Sequence, residues 1–136
     1  LRAYGRKSKS FRDFVLTRIT KVTIIAQTPS PEEDKLEDHQ WMRMVPLQII
    51  PHPNNVKHPT AIKLDFGMEK GMLEVNVRAA MAGYLLRRWN VDCSERGSLS
   101  GPEYQLYLQN IQTLYGAENL AIAPGYQQES KTPNYG

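Results

Sequence analysis

Four side chains near the front of the sequence carry the chemistry of anion recognition: Arg2, Tyr4, Arg12 and Arg18. A guanidinium fork matches a phosphate or carboxylate with two parallel hydrogen bonds, and an aromatic ring beside it can stack a nucleobase. If Phe11 to Ile19 is one strand, Arg12, Phe14, Leu16 and Arg18 share a face by strict alternation. Two arginines on that face are costly in a closed core, so a bulge re-aims them or the face lines an open groove. Arg2 and Tyr4 would then meet Arg12 and Arg18 from the neighbouring strand. The alternative is that Tyr4, Phe11 and Phe14 are ordinary sheet and core aromatics, while the arginines pair with Asp13 or with acidic residues further along. Both readings stand at this point.

Charge distribution bears on that choice. Residues 1–28 hold Arg2, Arg6, Lys7, Lys9, Arg12, Arg18 and Lys21 against Asp13, a balance of +6. Residues 29–40 hold Glu32, Glu33, Asp34, Glu37 and Asp38 against Lys35, a balance of −4. A basic block attracts phosphates or nucleic acid; equally, a solvated hairpin with lysines in its turn is how edge strands resist aggregation.

Other chemistry lacks its parts. Gly97-Ser98-Leu99-Ser100-Gly101 has no serine flanked by glycines two residues away on both sides, so it is not a nucleophile elbow. Gly67 to Gly71 lacks the pattern of a phosphate-cradling loop. His52 and His58 each precede a proline and read as turn residues, and the single Cys93 cannot supply a thiolate zinc site. No enzyme activity, metal or cofactor is expected. Trp41, Trp89 and the Tyr84 face read as packing anchors, or as a dimer surface if exposed.

The elements that position these residues follow from periodicity. Residues 1–27 read as a hairpin, with Gly5 to Ser10 as a polar turn and Val22 to Ile25 as β-favouring residues. A hairpin alone is marginal, so it must complete a larger sheet. Thr28-Pro29-Ser30-Pro31 and the acidic run behind it read as a linker through residue 43. Met44 to Ile50 reads as a strand, at an edge because of Pro46. Pro59 suits the first turn of a short helix. Val77, Ala80, Met81, Tyr84 and Leu85 form one apolar stripe, predicting a helix over 76–89 with Asn76 in its first turn and Arg87 and Arg88 in its last. Tyr104 to Gln109 alternates Leu106 and Leu108 inward as a strand, and Asn110 to Tyr115 reads as a short helix ending at Gly116. Residues 123–136 read as a flexible tail.

At 136 residues with 40% hydrophobic content, the chain is long enough for one domain, or one domain and a fragment. No apolar run spans a bilayer, the front lacks a signal peptide, and one cysteine excludes an internal disulfide, so a cytoplasmic protein with no membrane partner is expected. Leu1 in place of Met points to a further N-terminal portion.

Two stretches resemble the WYL-domain transcriptional regulators, particularly the branch associated with phage defence. Leu1-Arg2-Ala3-Tyr4 followed by Phe11-Arg12-Asp13-Phe14-Val15-Leu16-Thr17-Arg18-Ile19 is similar to the second half of the Sm-like sensing barrel. Pro51-His52-Pro53, Asp65-Phe66-Gly67-Met68-x-x-Gly71, Val77-Arg78-x-Ala80, Tyr84-x-Leu86-Arg87 and Gln105-Leu106-x-Leu108-x-Asn110 resemble the C-terminal extension of that branch. The resemblance implies an α+β chain: partial Sm-like or SH3-like barrel strands over 1–27, the acidic linker over 28–43, and a small α+β extension domain over 44–122. It implies a homodimer that binds DNA through an N-terminal helix-turn-helix outside this sequence. It also implies an anionic nucleotide-like effector, or single-stranded nucleic acid, with Arg18 the foremost contact and Arg2, Tyr4 and Arg12 behind it. A basic nucleic-acid module and a purely structural dimerisation domain are the alternatives.

Overall fold

The computed structural model describes residues 1–127, and the expected tail falls mostly on residues outside these. Strands Arg2–Gly5 (β1) and Ser10–Asp13 (β2) pair antiparallel across a polar turn in which Lys9 takes a φ of 50°. Their register sets Arg2 against Asp13, Ala3 against Arg12 and Tyr4 against Phe11. Side chains alternate along each strand, so Arg2, Tyr4, Phe11 and Asp13 share one face while Ala3 and Arg12 share the other.

The hairpin is shorter than its sequence promised. β2 ends at Asp13, Leu16–Arg18 forms a 3-10 turn, and residues 19–30 carry no regular structure. Val22, Ile24 and Ile25 are exposed there. β-propensity expresses a fit to a half-buried pleated surface, and among the described residues no further strand offers them one. The chain is α+β, and its described residues form two separate sheets and no closed barrel.

The acidic segment is ordered from Pro31 onward. Pro31–Glu33 and Lys35–Glu37 are 3-10 turns, followed by the short helix α1 (His39–Met42). Aspartates start the latter two: Asp34 accepts the Leu36 N–H at 2.9 Å and Asp38 the Trp41 N–H at 3.2 Å, supplying acceptors to otherwise unpaired helical donors.

The body is built on β3 (Met44–Pro51), in which Val45, Leu47, Ile49 and Pro51 are buried and the alternate residues are not. Behind it come α2 (Pro59–Asp65), β4 (Leu73–Arg78), α3 (Ala79–Arg88), β5 (Val91–Asp92) and β6 (Leu106–Leu108). The sheet order is β4-β3-β6-β5, with β3 antiparallel to both neighbours and β5 parallel to β6. Pro46 thus lies in a central strand, not at an edge. Its ring nitrogen faces the β6 side at a point where β6 has already ended. There the Asn110 side chain takes over: Nδ2 donates to the Pro46 C=O at 2.8 Å and Oδ1 accepts the Gln48 N–H at 2.9 Å. The absent proline N–H leaves no ladder bond unmade.

The expected helix exists, but it starts at Ala79. Asn76 and Val77 belong to β4, because Leu73, Val75 and Val77 find partners in Ile49, Leu47 and Val45. The buried face turns with the start: Ala79, Ala82, Gly83 and Leu86 join Ala80 of the expected stripe in being buried and Leu85 still packs on the core, whereas Met81 and Tyr84 are 36% and 40% exposed. Small residues there allow close approach. A Cβ on Gly83 would lie 2.4 Å from the Asn119 carbonyl oxygen.

Leu47, Ile49, Leu86, Leu108 and Leu114 form the centre of the core. The first residues of the expected tail are packed onto it. Ala123 is buried, Tyr126 lies against the core, and the Cys93 N–H donates to the Pro124 C=O at 2.8 Å. No helix among the described residues is long and apolar enough to cross a membrane.

Candidate functional site

Arg2 stands where hairpin, acidic segment and body meet. Its guanidinium grips Asp38 with two bonds, Nε to Oδ2 at 2.6 Å and Nη2 to Oδ1 at 2.8 Å. Nη1 also reaches Asp13 at 3.3 Å and Glu118 at 3.1 Å. The second Asp13 oxygen accepts from Asn119 Nδ2 at 2.7 Å and from the Tyr84 hydroxyl at 3.1 Å. One arginine and one aspartate of the hairpin thereby fasten it to α1, α3 and the segment near Asn119. With the Arg2 side chain only 7% exposed, this is a shielded ion pair rather than a surface one.

Each group's titration reflects that packing. The hydrogen bond to Asp38 holds Arg2 above its ordinary value, against a desolvation penalty and with help from the carboxylate charges. Burial pushes the Asp38 carboxyl up, but the Arg2 hydrogen bonds, the Trp41 N–H and the Arg2 charge outweigh it, leaving the group below the usual carboxylate range. Burial, followed by the hydrogen bond to Asp13 and its charge, raises the Tyr84 phenol. A second, exposed pair joins Arg6 to Glu33 at 3.0 Å; it adds little, as such pairs are screened by solvent.

Above Arg2 opens a cleft of about 810 Å³ between hairpin and body. Tyr4, Phe11 and Phe14 line it from the hairpin side, and Trp41, Met81 and Tyr84 from the other. Tyr4 and Phe11 stack edge to face at 5.2 Å. Such a slot suits a flat, weakly polar group, and Arg2 below it is saturated by carboxylates.

The four candidate residues therefore separate. Arg2 and Tyr4 share the cleft-facing side of the hairpin. Arg12 is exposed on the opposite face beside Ala3, which corrects the expectation that it meets Arg2 and Tyr4. Arg18 is exposed in the 3-10 turn instead of on a strand, and among the described residues neither it nor Arg12 forms an ion pair. Of the two readings of the front arginines, pairing with Asp13 and the acidic run describes Arg2, and pairing with the acidic run describes Arg6. The opposed charge blocks were the available signal for this. Glu118 and Asn119 had none, being brought in by α3 packing against the segment that follows Asn119.

Sequence reasoning also missed His52. Expected as a turn residue, it is 1% exposed and bound to Asp92, which is 0% exposed in the unanticipated strand β5. Among the described residues no cluster of His, Cys, Asp and Glu could hold a metal ion.

Comparison with known proteins bears on the body. The family model of the BrxR transcriptional regulator, C-terminal dimerization domain, matches residues 44–114, from the start of β3 to the end of the 3-10 turn at Leu114. The chain is 38% identical over 93 residues to the DNA-binding transcriptional repressor CapW of Pseudomonas aeruginosa, covering 68% of this chain and 30% of that protein. It is 29% identical over 92 residues to CapW of Stenotrophomonas maltophilia, covering 67% and 30% respectively. The chain thus spans about a third of the length of these curated relatives. With more than half of its residues inside the matched region, the chain belongs to the BrxR transcriptional regulator family and carries that family's C-terminal dimerization domain.

Proposed function

We propose that this chain is the self-associating and sensing end of a longer DNA-binding transcriptional regulator of the WYL type, acting in phage defence. The family description supports self-association through the body, and the relatives' description as DNA-binding repressors supports the regulatory role. DNA contact is assigned to a winged helix-turn-helix elsewhere in the protein, since the chain spans only a fraction of its relatives. The hairpin represents the last strands of the sensing domain.

The observation that carries the sensing part is the aromatic cleft seated on Arg2. Its volume is that of a small-molecule site. In this reading a nucleobase enters between Tyr4 and Trp41, Arg2 fixes the floor, and Arg18 meets the phosphate as it leaves the cleft. Arg12, on the outer face, sits at the margin of the site. Effector binding acts by linkage: it shifts the hairpin–body arrangement only as far as its affinity differs between the two states.

The test is an operator-binding assay on the full-length regulator, with a mononucleotide and a short single-stranded oligonucleotide as probes. The proposal expects one probe to change operator affinity, and expects Arg18→Ala and Tyr4→Ala to abolish the change while the fold persists. A response that survives both substitutions removes the cleft from the account.

One observation favours a plainer reading. Arg2 is already satisfied by Asp38, Asp13 and Glu118 and offers little to an incoming anion. On that reading the chain is a structural dimerisation domain, and neither probe alters Trp41 fluorescence. The same pairing weakens the nucleic-acid clamp, which requires binding by this chain that falls steeply with salt.

A further inference from the structure

The main sheet has two edges, and they are finished differently. β5 is two residues long and buried, and directly after it the Cys93 N–H donates to the Pro124 C=O. β4 has six residues, Leu-Glu-Val-Asn-Val-Arg, without proline or glycine, and among the described residues only β3 pairs with it. An open edge of that length is a template for another strand unless something blunts it.

Bonding within β3 reveals which β4 groups point outward. Gln48 directs both peptide groups towards β6, its N–H to Asn110 Oδ1 and its C=O to the Gln109 N–H, each at 2.9 Å. The Pro46 C=O points the same way. Successive residues of an antiparallel strand alternate between neighbours. Val45, Leu47 and Ile49 therefore bond to Val77, Val75 and Leu73, and the N–H and C=O groups of Glu74 and Asn76 and the N–H of Arg78 face the open edge, the Arg78 C=O being taken by the first turn of α3.

We propose that this edge pairs with β4 of a second copy of the chain, antiparallel, about a two-fold axis at Asn76. The inference rests on the self-association reading and names its surface. Outward groups confine the hydrogen-bonded pairs to Glu74, Asn76 and Arg78. With the axis at Asn76, Asn76 faces its own copy, and Glu74 faces Arg78 of the second copy, twice by symmetry. Val75 then lies opposite Val77 on the core side. Centring on Val75 or Val77 gives no ion pair, and centring on Glu74 or Arg78 sets like charges against each other, which is unfavourable. Arg78 lies over the Trp41 ring at 4.4 Å and donates through Nη1 to the Trp41 C=O. A guanidinium has five N–H donors, so others remain for a carboxylate. The two sheets become one continuous sheet.

Analytical sedimentation of the 136-residue chain over a concentration series tests this together with disulfide trapping. At the axis, Cα atoms of a hydrogen-bonded pair lie about 5.5 Å apart, within disulfide reach. Asn76→Cys is expected to form a reducible dimer. Glu74→Cys, displaced by about 13 Å in this register, is expected not to. The native Cys93 is buried, its thiol pushed up to about 12 by burial and by the Asp92 charge, so it stays silent. Asn76→Lys, at an exposed position, is expected to keep the native circular dichroism and weaken the dimer about tenfold. If the wild-type chain dimerises but Asn76→Lys matches it and Asn76→Cys fails to cross-link, the edge proposal is overturned while self-association stands. A wild-type chain that stays monomeric at every concentration overturns both.

Discussion

His52 donates from Nε2 to the Asp92 carboxylate at 2.8 Å with both side chains wholly buried, while its Nδ1 accepts the N–H groups of Asn54 and Asn55 at 3.1 and 3.2 Å. Two donors at Nδ1 require a lone pair there, which fixes the neutral tautomer protonated at Nε2. Asp92 also accepts from the Ser94 and Leu99 N–H groups, at 2.8 and 3.2 Å. One buried carboxylate thus shapes the turn after β3 and the loop after β5. Asp92→Ala leaves these donors without an acceptor. A loss of about 2–4 kcal/mol is expected, visible as a fall of order 10 °C in the thermal unfolding midpoint. An unchanged midpoint refutes the lock.

Arg2→Ala removes the pin between hairpin and body and leaves Asp38 and Asp13 facing each other without it. Hydrogen exchange of residues 2–13 is expected to accelerate by about thirtyfold, corresponding to roughly 2 kcal/mol of lost docking. Exchange in β3 and β6 should hardly change, because no core contact is touched. Uniform acceleration across the chain contradicts this separation.

Acid should undock the hairpin, with a sign set by Asp38. Its carboxyl titrates below the usual range in the folded chain. The stabilisation is therefore complete above the ordinary aspartate value of about 4 and is lost as pH falls through the lowered folded value. Trp41 lines the cleft, so in a Trp89→Phe background its emission is expected to shift to the red at low pH. In Asp38→Asn that acid step should shrink, docking being weakened at every pH while Asp13 and Glu118 still bind Arg2.

Gly83→Ala drives a methyl group against the Asn119 carbonyl, 2.4 Å from the ideal Cβ position. Helix propensity favours the change by up to about 1 kcal/mol, and the clash opposes it by about 1–3 kcal/mol. Net destabilisation is expected, with the hairpin loosened too, since Asn119 also holds Asp13. Denaturant melts and hydrogen exchange of residues 2–13 check both parts; a more stable variant means that the segment near Asn119 moves aside freely.

The sequence displayed those elements whose burial pattern is self-contained. In β3 Gln48 separates Leu47 from Ile49, in β6 Tyr107 separates Leu106 from Leu108, and Pro59 marks the start of α2 as expected. The error at Asn76 arose because Val77 satisfies a helical stripe and a strand alternation equally, and only pairing with Val45 decides between them. Val22 to Ile25 read as a strand on propensity, yet strand formation needs a neighbour. In the site, the arginines were visible but their partners lay 36 and 116 residues away. Opposed charge blocks foretold the pairing in kind, and packing of α3 chose the particular carboxylates.

Asn110 has a wider consequence for how the sheet ends. A carboxamide carries the same donor and acceptor as a peptide bond, so this side chain splints one more rung onto the ladder after the main chain has turned away. The backbone can leave the sheet early, and the proline it faces bars any foreign segment from zipping into that place. Length of strand and length of ladder are decoupled by a single amide, and Asp or Leu there should shorten the sheet without altering its connectivity.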